Sequence, residues 1–283
     1  MFKRAYVEIT NRCNLRCAFC PGTGRPPGEM TPEAFSILAD RLRPVTGYLY
    51  FHVMGEPLLH PQLEVLLSQA AERAFRVCLT TNGTLLPERA ETLRQAEPLH
   101  KLSVSLHSFE GNDGGPDLRR YLSGVWDVCR PLAETGVICV LRLWNEGGPQ
   151  ECNREIEAFF QERTGTCPGC WPAPRPGVRK LGEGLFLESA SQFDWPDLEA
   201  PERGTEFCHG LRDQIAVLCD GTVVPCCLDH EGDLALGNLL EQELDAILDS
   251  PRARALYEGF SRRRPAEELC RRCGYAARFS GRS

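Results

Sequence analysis

The feature that most constrains the fold of this 283-residue chain is a repeated alternation of short apolar runs and helical patterns. Six strand-like runs are spaced along the first two thirds of the sequence: 5–9, 48–53, 76–80, 102–106, 137–144 and 185–187. Segments with an apolar stripe at helical spacing separate them. This alternation predicts an α/β fold with parallel strands and right-handed crossovers. The order alone leaves open whether the sheet is open or an incomplete barrel.

Three cysteines lie on the loop that leaves the first predicted strand. Cys13, Cys17 and Cys20 have the spacing C-x3-C-x2-C. Thiolates are soft ligands that suit iron–sulfur clusters or zinc. A closed site of either kind takes four protein ligands, so three leave one metal corner free. In a 4Fe–4S cubane, such a free iron is available to a substrate or a cofactor.

The run VEITNRCNLRCAFC around these cysteines resembles the signature of the radical SAM superfamily. The resemblance implies that Cys13, Cys17 and Cys20 hold the catalytic 4Fe–4S cluster, whose unique iron chelates S-adenosylmethionine. Reduction of the cofactor then gives a 5′-deoxyadenosyl radical. The resemblance also favours a partial (β/α)6 TIM-type barrel over an open sheet. A zinc loop or a chance grouping of cysteines is the alternative.

Polar motifs follow the ends of the predicted strands, where parallel sheets carry their chemistry. The resemblance implies that cofactor contacts come from Phe19, Gly55, Glu56, Pro57, Ser105, His107, Arg142 and Asn145. The Gly-Glu-Pro run matches a family motif that binds the methionyl amino group, and a simple turn is its alternative. A structural role would explain His107 equally well. A buried Arg142 needs an anionic partner, which the cofactor carboxylate or ribose would supply.

The C-terminal quarter carries a second set of thiolates, namely Cys208, Cys226, Cys270 and Cys273. Asp220-Gly221 between two β-rich runs predicts a hairpin, with Cys226 at its end. This order resembles the SPASM/twitch extension of radical SAM enzymes. The resemblance implies one auxiliary 4Fe–4S cluster held by these four cysteines. Two alternatives stay open: Cys227 in place of Cys226, and a structural zinc in place of the cluster.

We therefore expect a radical SAM barrel over residues 1–190, a linker over 191–204 and an auxiliary-cluster domain over 205–283. That second domain is predicted to be a small hairpin-plus-helix iron–sulfur unit. The segment 167–184 is rich in proline and glycine and is predicted to be an irregular loop.

The remaining cysteines are assigned less firmly by the sequence. Cys167 and Cys170 form a C-x2-C pair for which a redox role, a metal role or neither remains open. Four others lie in apolar runs and are predicted to be buried thiols: Cys78, Cys129, Cys139 and Cys219. Cys152, at the start of a helical pattern, has no assigned role.

Composition restricts the cellular compartment and the binding partners that we expect for this protein. No run of about 18 apolar residues exists, so we expect no membrane span. The chain begins directly with a strand-like run, so we expect no signal peptide. Fifteen clustered cysteines favour metal ligation in a reducing compartment, the cytoplasm. The net charge of -7 argues against a broadly cationic nucleic-acid surface.

The predicted activity is reductive cleavage of S-adenosylmethionine followed by hydrogen abstraction from a substrate. Relatives with this extension often modify peptides or proteins, so a peptide or protein substrate is expected. An electron donor such as flavodoxin or ferredoxin is the expected partner. One alternative is a radical SAM enzyme that acts on RNA or a small metabolite. The other is a non-catalytic iron–sulfur or zinc protein.

Overall fold

The computed structural model describes residues 1–112, 117–203 and 207–279. Its strands are β1 (Arg4–Val7), β2 (Tyr48–Phe51), β3 (Arg76–Thr81), β4 (Leu99–Ser105), β5 (Ile138–Glu146), β6 (Val178–Gly182), β7 (Leu185–Ser191), β8 (Gln214–Val217), β9 (Thr222–Val224) and β10 (Gly237–Asn238). Its α-helices are α1 (Pro32–Leu42), α2 (Leu63–Glu72), α3 (Leu86–Gln95), α4 (His107–Glu110), α5 (Leu118–Glu134), α6 (Asn153–Thr164), α7 (Leu244–Leu248), α8 (Pro251–Ser261) and α9 (Glu268–Arg271). Short 3-10 turns cover Pro57–Leu59, Pro168–Cys170 and Gly274–Phe279.

These strands form one sheet in the order β10-β9-β8-β1-β2-β3-β4-β5-β7-β6. Strands β1 to β5 and then β7 lie parallel to one another. Helices α1, α2, α3, α5 and α6 fall between these strands along the chain. This topology of six parallel strands with helices between them confirms the predicted α/β class.

The sheet curves into a partial barrel. The guanidinium of Arg142 on β5 lies within electrostatic reach of the Tyr6 hydroxyl on β1, although three strands lie between them. In a flat sheet, four strand spacings would separate these strands by about 19 Å. The curvature therefore gives the sheet an inner and an outer face.

The two faces have different chemistry. The outer face packs under the helices with fully buried apolar side chains, including Val7, Leu49, Leu79, Leu102 and Leu141. The inner face carries polar side chains, and one row across four strands is Tyr6, Tyr50, Cys78 and Lys101. Because successive residues of a strand point to opposite faces, one sequence run supplies both an apolar core and a polar interior.

The C-terminal hairpin extends the barrel sheet. β8 pairs with β9 as an antiparallel hairpin, as predicted, and β8 also pairs parallel with β1. The division into domains at 190 and 204 stays a prediction. Its boundary between residues 204 and 205 lies outside the described residues.

Two sequence predictions were wrong in detail. The segment 167–184 contains a regular strand, β6, which pairs antiparallel with β7. That pairing is a tertiary contact, which local composition does not report. Cys219 is only half-buried, whereas Cys78, Cys129 and Cys139 are buried as predicted. Cys219 lies next to Gly28 and the carboxylate of Glu8, because the hairpin docks against the first cysteine loop.

Cys167 and Cys170 are joined by a disulfide on the exposed turn after α6. In the part of the chain that the structure describes, helices are too short or too polar to cross a bilayer.

Candidate functional site

The first cysteine loop connects β1 to α1 at the carboxyl end of β1. Cys13 is exposed, and Cys17 and Cys20 are half-buried. The sulfurs of Cys13 and Cys20 lie within electrostatic reach of the Cys17 sulfur, so the loop gathers all three thiols. Asn11 closes the base of the loop, because its amide donates to the Pro26 carbonyl at 2.9 Å and accepts from the Gly28 amide at 2.7 Å.

Burial of the three thiols in this loop disfavours their thiolate forms. Burial raises the pKa of Cys17 to about 11, and it also raises the pKa of Cys13 and Cys20. A thiolate there needs a compensating cation or hydrogen-bond donors. The donor set therefore fits a bound iron–sulfur cluster, whose charge would stabilise the deprotonated ligands.

Two asparagine side chains approach the cysteine sulfurs. Nδ2 of Asn112 donates to the Cys17 sulfur at 2.9 Å and to the Ser108 carbonyl at 2.8 Å, and its Oδ1 accepts from the Arg16 amide. Nδ2 of Asn82 lies 4.0 Å from the Cys13 sulfur and donates to Asn14. Amide donors to cluster sulfurs tune redox centres. Our sequence analysis did not single out Asn112, because no motif marks it and its contact is made across 95 residues.

Phe19 is held between the loop and the end of β4. Its ring lies 4.8 Å from the His107 ring, centroid to centroid. A Cβ on Gly111 would lie 2.6 Å from the Phe19 ring, so only glycine fits there. The position of Phe19 is thus fixed on two sides. Its predicted contact with adenine stays a prediction.

The predicted Gly55-Glu56-Pro57 motif follows β2 and packs against the segments that follow β1 and β3. Gly55 has φ +77°, and a Cβ there would lie 2.3 Å from the Thr10 carbonyl. The Glu56 carboxylate is buried and accepts from the Leu58 amide at 3.0 Å and the Asn82 amide at 2.7 Å. Burial raises the pKa of Glu56 to about 7. Both carboxylate oxygens are engaged inside the protein, which leaves backbone carbonyls as the acceptors this motif offers to a ligand.

The predicted residues at the end of β4 make short-range structural contacts. The Ser105 carbonyl accepts from the Ser108 hydroxyl at 2.6 Å. Nδ1 of His107 lies 3.1 Å from the Arg142 carbonyl, and burial lowers the pKa of His107 to about 4. His107 is therefore neutral near pH 7.

The two predicted residues on β5 differ sharply. Asn145 is buried and its amide donates to the Pro149 carbonyl and to Asn153, so it fixes the turn into α6. Arg142 faces the barrel interior, and its buried Nε has no hydrogen-bond partner among the described residues. Its guanidinium stacks on the Trp144 ring at 4.5 Å. Of the two, Arg142 alone has unused donor capacity for a ligand.

The second cysteine set lines one cavity. Cys208, Cys226, Cys270 and Cys273 all border it, together with apolar side chains of Pro225, Leu228, Leu234, Phe260 and Leu269. Its volume of about 70 Å³ is several times the roughly 10–15 Å³ that a single water needs. Burial raises the pKa of Cys208 to about 11 and raises the pKa of the other three. A closed, four-thiolate cluster site fits this donor set.

The structure places Cys226 and Cys227 in different surroundings. Cys226 lines the cavity, whereas Cys227 packs with Tyr6 and Tyr50 on the inner face of the barrel. Within the described ranges, no three Cys, His, Asp or Glu side chains lie close enough together to hold one metal ion.

A polar latch joins the two cysteine regions. Arg25 in the first loop donates to the buried Glu8 carboxylate at 2.7 Å and to the His230 carbonyl at 2.8 Å. The Gly24 amide donates to the Glu231 carboxylate at 3.0 Å. The other oxygen of Glu8 accepts from the Cys219 amide. The C-terminal region therefore holds the segment that follows Cys20.

Comparison with known proteins agrees with this geometry. Residues 7–141 match the family described as the Radical SAM superfamily, and residues 208–274 match SPASM, described as an iron-sulfur cluster-binding domain. Cys13, Cys17 and Cys20 lie inside the first match, and the four cavity cysteines lie inside the second. A probable GTP 3',8-cyclase of Archaeoglobus fulgidus is 31% identical over 295 residues, which covers 89% of this chain and 94% of the relative.

Two solved structures share the fold over most of this chain. BtrN in complex with AdoMet and 2-DOIA has a TM-score of 0.61 at 18% identity and covers 96% of this chain and 93% of its own. Streptococcus suis SuiB bound to precursor peptide SuiA has a TM-score of 0.61 at 17% identity and covers 96% of this chain and 70% of its own. The family matches imply a core 4Fe–4S cluster, an auxiliary cluster and S-adenosylmethionine as cofactors.

Proposed function

This chain belongs to the radical SAM superfamily, and from that premise we propose which of its residues carry out the family's chemistry and on what. When bound, the core cluster supplies the electron that cleaves S-adenosylmethionine to a 5′-deoxyadenosyl radical, which takes hydrogen from the substrate. We assign its ligation to Cys13, Cys17 and Cys20. The single observation that carries this assignment is the gathering of three thiols on one loop, with Asn112 already donating to a sulfur.

The residues around the loop hold and shield the cofactor. Phe19, fixed by His107 and Gly111, offers a flat apolar face for a base. Around Gly55, backbone carbonyls are the acceptors available to an ammonium group, because the Glu56 side chain is engaged elsewhere. His107, neutral near pH 7, adds no charge beside the ring.

The cavity cysteines form the auxiliary site in this proposal. Cys208, Cys226, Cys270 and Cys273 would fill all four ligand positions, so that site has no free metal corner for a substrate. The latch from Arg25 to Glu8 and His230 ties this region to the first loop. We assign the auxiliary region the role of bracing the loop that follows Cys20.

The substrate has two candidates. The peptide or protein expected from the sequence agrees with the fold shared with SuiB bound to its precursor peptide. A small molecule is favoured by the match with the archaeal relative, named as a probable GTP 3',8-cyclase, which spans 89% of this chain and 94% of that relative. A donor such as flavodoxin or ferredoxin and a cytoplasmic location stay predictions.

The test is anaerobic reconstitution with iron and sulfide, followed by reduction with dithionite in the presence of S-adenosylmethionine. We expect about eight irons per chain, four for each cluster, and formation of 5′-deoxyadenosine. A protein that carries both clusters yet forms no 5′-deoxyadenosine above the level seen without dithionite would contradict the proposal.

A further inference from the structure

The inner face of the barrel holds more positive charge than its own residues neutralise. Lys101 on β4 and Arg142 on β5 both point inward and lie within electrostatic reach of each other. Glu188 on β7 lies directly beside Arg142 in the sheet and within electrostatic reach of both cations. Glu188 is already paired with Arg175 at 3.4 Å. One shared carboxylate thus faces three cations.

Arg142 has the clearest unused binding capacity. Its Nε is buried without a partner, and its guanidinium forms no ion pair with a described residue. A buried guanidinium without an acceptor costs free energy unless a ligand supplies one. Burial and the neighbouring charge of Arg142 lower the pKa of Lys101, which also forms no ion pair with a described residue. An anion between the two would relieve both costs.

Phenol groups surround the same space. Tyr6 on β1 and Tyr50 on β2 lie within electrostatic reach of Arg142, and so does Tyr275, which follows Cys273 in the auxiliary region. Guanidinium, ammonium and phenol donors together are the set that recognises phosphate or carboxylate oxygens. Because Tyr275 comes from the C-terminal region, the space is bordered by both parts of the molecule.

The two cations lie at different depths in the barrel. The first cysteine loop leaves the carboxyl end of β1, so a ligand of the free iron lies at that end of the barrel. Lys101 is near the amino end of β4, opposite Ile138 at the start of β5. The positions of Lys101 and Arg142 are about 13 Å apart along the strands, a span that two long side chains bridge from both ends. Arg142 pairs in register with Ser105, the last residue of β4, so its backbone lies near the carboxyl end, four residues above the level of Lys101. An anion held between the two side chains therefore lies deeper in the barrel than that end.

We propose that the substrate is a small molecule with a phosphate or carboxylate group, which Arg142 and Lys101 bind inside the barrel. This inference rests on the proposed function and selects the second of its two substrate classes. It also gives Arg142 a different ligand from the cofactor carboxylate expected from the sequence. A peptide without an acidic group would leave both cations unpaired.

The test measures anion binding to the reconstituted holoenzyme by anaerobic calorimetry at constant ionic strength. Inorganic pyrophosphate and succinate are the two probes, which distinguish a phosphate site from a carboxylate site. Each is titrated with and without saturating S-adenosylmethionine. We expect saturable binding of at least one probe, with an affinity that the cofactor leaves unchanged.

Variants then locate the site. We expect Arg142→Gln to weaken binding of that probe by about tenfold or more, and Lys101→Gln to weaken it by several-fold. Arg142→Lys, which keeps the charge, should retain part of the affinity. Arg94→Gln is the matched control, because Arg94 is exposed on α3 and pairs with Glu91 on the same helix. It should bind like the parent protein.

Three results would overturn the inference. They are the absence of saturable binding of both probes, displacement of the probe by S-adenosylmethionine, and unchanged affinity in both Arg142→Gln and Lys101→Gln. Failure of the proposed function is a separate result, because it appears as absent 5′-deoxyadenosine in the parent protein whatever the anion titration shows.

Discussion

The two cysteine regions of this molecule differ in how their sulfur atoms are arranged and buried. The first places Cys13, Cys17 and Cys20 on one continuous loop, where the sulfurs are exposed or half-buried and amide side chains approach them. The second draws Cys208, Cys226, Cys270 and Cys273 from three segments into one apolar cavity.

This difference gives the two regions different roles: the first admits a cofactor, and the second stabilises the fold. A loop with three ligands and an open side suits a cluster that must admit a cofactor. A cavity with four ligands from distant segments exists only when the chain is folded, so metal binding there adds directly to folding free energy. We therefore expect damage to the first region to abolish chemistry and damage to the second to reduce stability.

The largest expected effect is that of Cys17→Ala. Loss of one of three ligands should lower the rate of 5′-deoxyadenosine formation by at least about a thousandfold. The auxiliary cluster should remain, so about four irons per chain should be retained. Cys152→Ala, at a half-buried cysteine with no assigned role, is the control. Undiminished 5′-deoxyadenosine formation by Cys17→Ala would show that the first loop does not hold the catalytic cluster.

Cys226→Ala and Cys227→Ala form a neighbouring pair that tests the second region. Cys226→Ala should lose about four irons per chain and more than about 2 kcal/mol of unfolding free energy, because it opens a buried site. Cys227→Ala should keep its iron, since Cys227 packs with Tyr6 outside the cavity. Iron content and denaturant unfolding are the measurements. The reverse pattern would assign Cys227 as the ligand.

Gly111→Ala tests how tightly the first loop is held. The new methyl group would meet the Phe19 ring at 2.6 Å, and the backbone at Gly111 is helical, so the clash alone is at issue. We expect a loss of about 1–3 kcal/mol in unfolding free energy and weaker cofactor binding. Gly47→Ala, with open space around it, should cost less than 1 kcal/mol on the same scale. Equal stability of the two variants would mean that the Phe19 ring can move away from the new methyl group at little cost.

The pH dependence of the unfolding free energy tests the burial of His107 beside the first loop. The pKa of His107 is about 4 in the folded protein, lowered by burial from 6.5. Between these values the unfolded state binds more protons, so unfolding free energy should fall as pH falls from 6.5 to 5. His107→Asn should lessen this fall by about 1–2 kcal/mol. Parallel pH profiles of parent and variant would remove His107 from the account.

The smallest expected effect is electronic. Asn112→Ala removes a donor to the Cys17 sulfur, which should lower the reduction potential of the core cluster by on the order of tens of millivolts. Asn153→Ala, whose amide pairs with Asn145 away from the cysteines, is the control. Redox titration of both variants gives the comparison. A shift in Asn153→Ala equal to that in Asn112→Ala would show that the contact is not specific.

Sequence reasoning reached local features and family motifs but not long-range contacts. Strand and helix alternation predicted the parallel strands because periodicity is a local property, and the family resemblance favoured the partial barrel. Thr31 and Pro32 likewise begin α1 as capping rules require. The contact of Asn112 with Cys17 joins positions 95 residues apart, so no local pattern marks it.

The hydrogen-bond partners of buried polar side chains are the second property that the sequence does not report. Glu56 was predicted to contact the cofactor through its side chain or its backbone, and only the structure shows that its carboxylate accepts from two backbone amides. Asn145 was predicted in the same role, which stays a prediction, and its amide donates to the Pro149 carbonyl and to Asn153 at the turn into α6. Arg142 was expected to meet an anion, and only the structure shows that the acid beside it in the sheet, Glu188, is paired with Arg175. Partners of buried polar groups are decided by tertiary packing, which a single sequence does not specify.

The most direct test of the contrast between the two regions is electron paramagnetic resonance of the reduced protein titrated with S-adenosylmethionine. One sample is Cys208→Ala/Cys226→Ala, which keeps the first loop, and the other is Cys13→Ala/Cys17→Ala/Cys20→Ala, which keeps the cavity. The account predicts that the cofactor changes the cluster spectrum of the first sample and leaves that of the second untouched. A spectral change in the second sample, or none in the first, would contradict it.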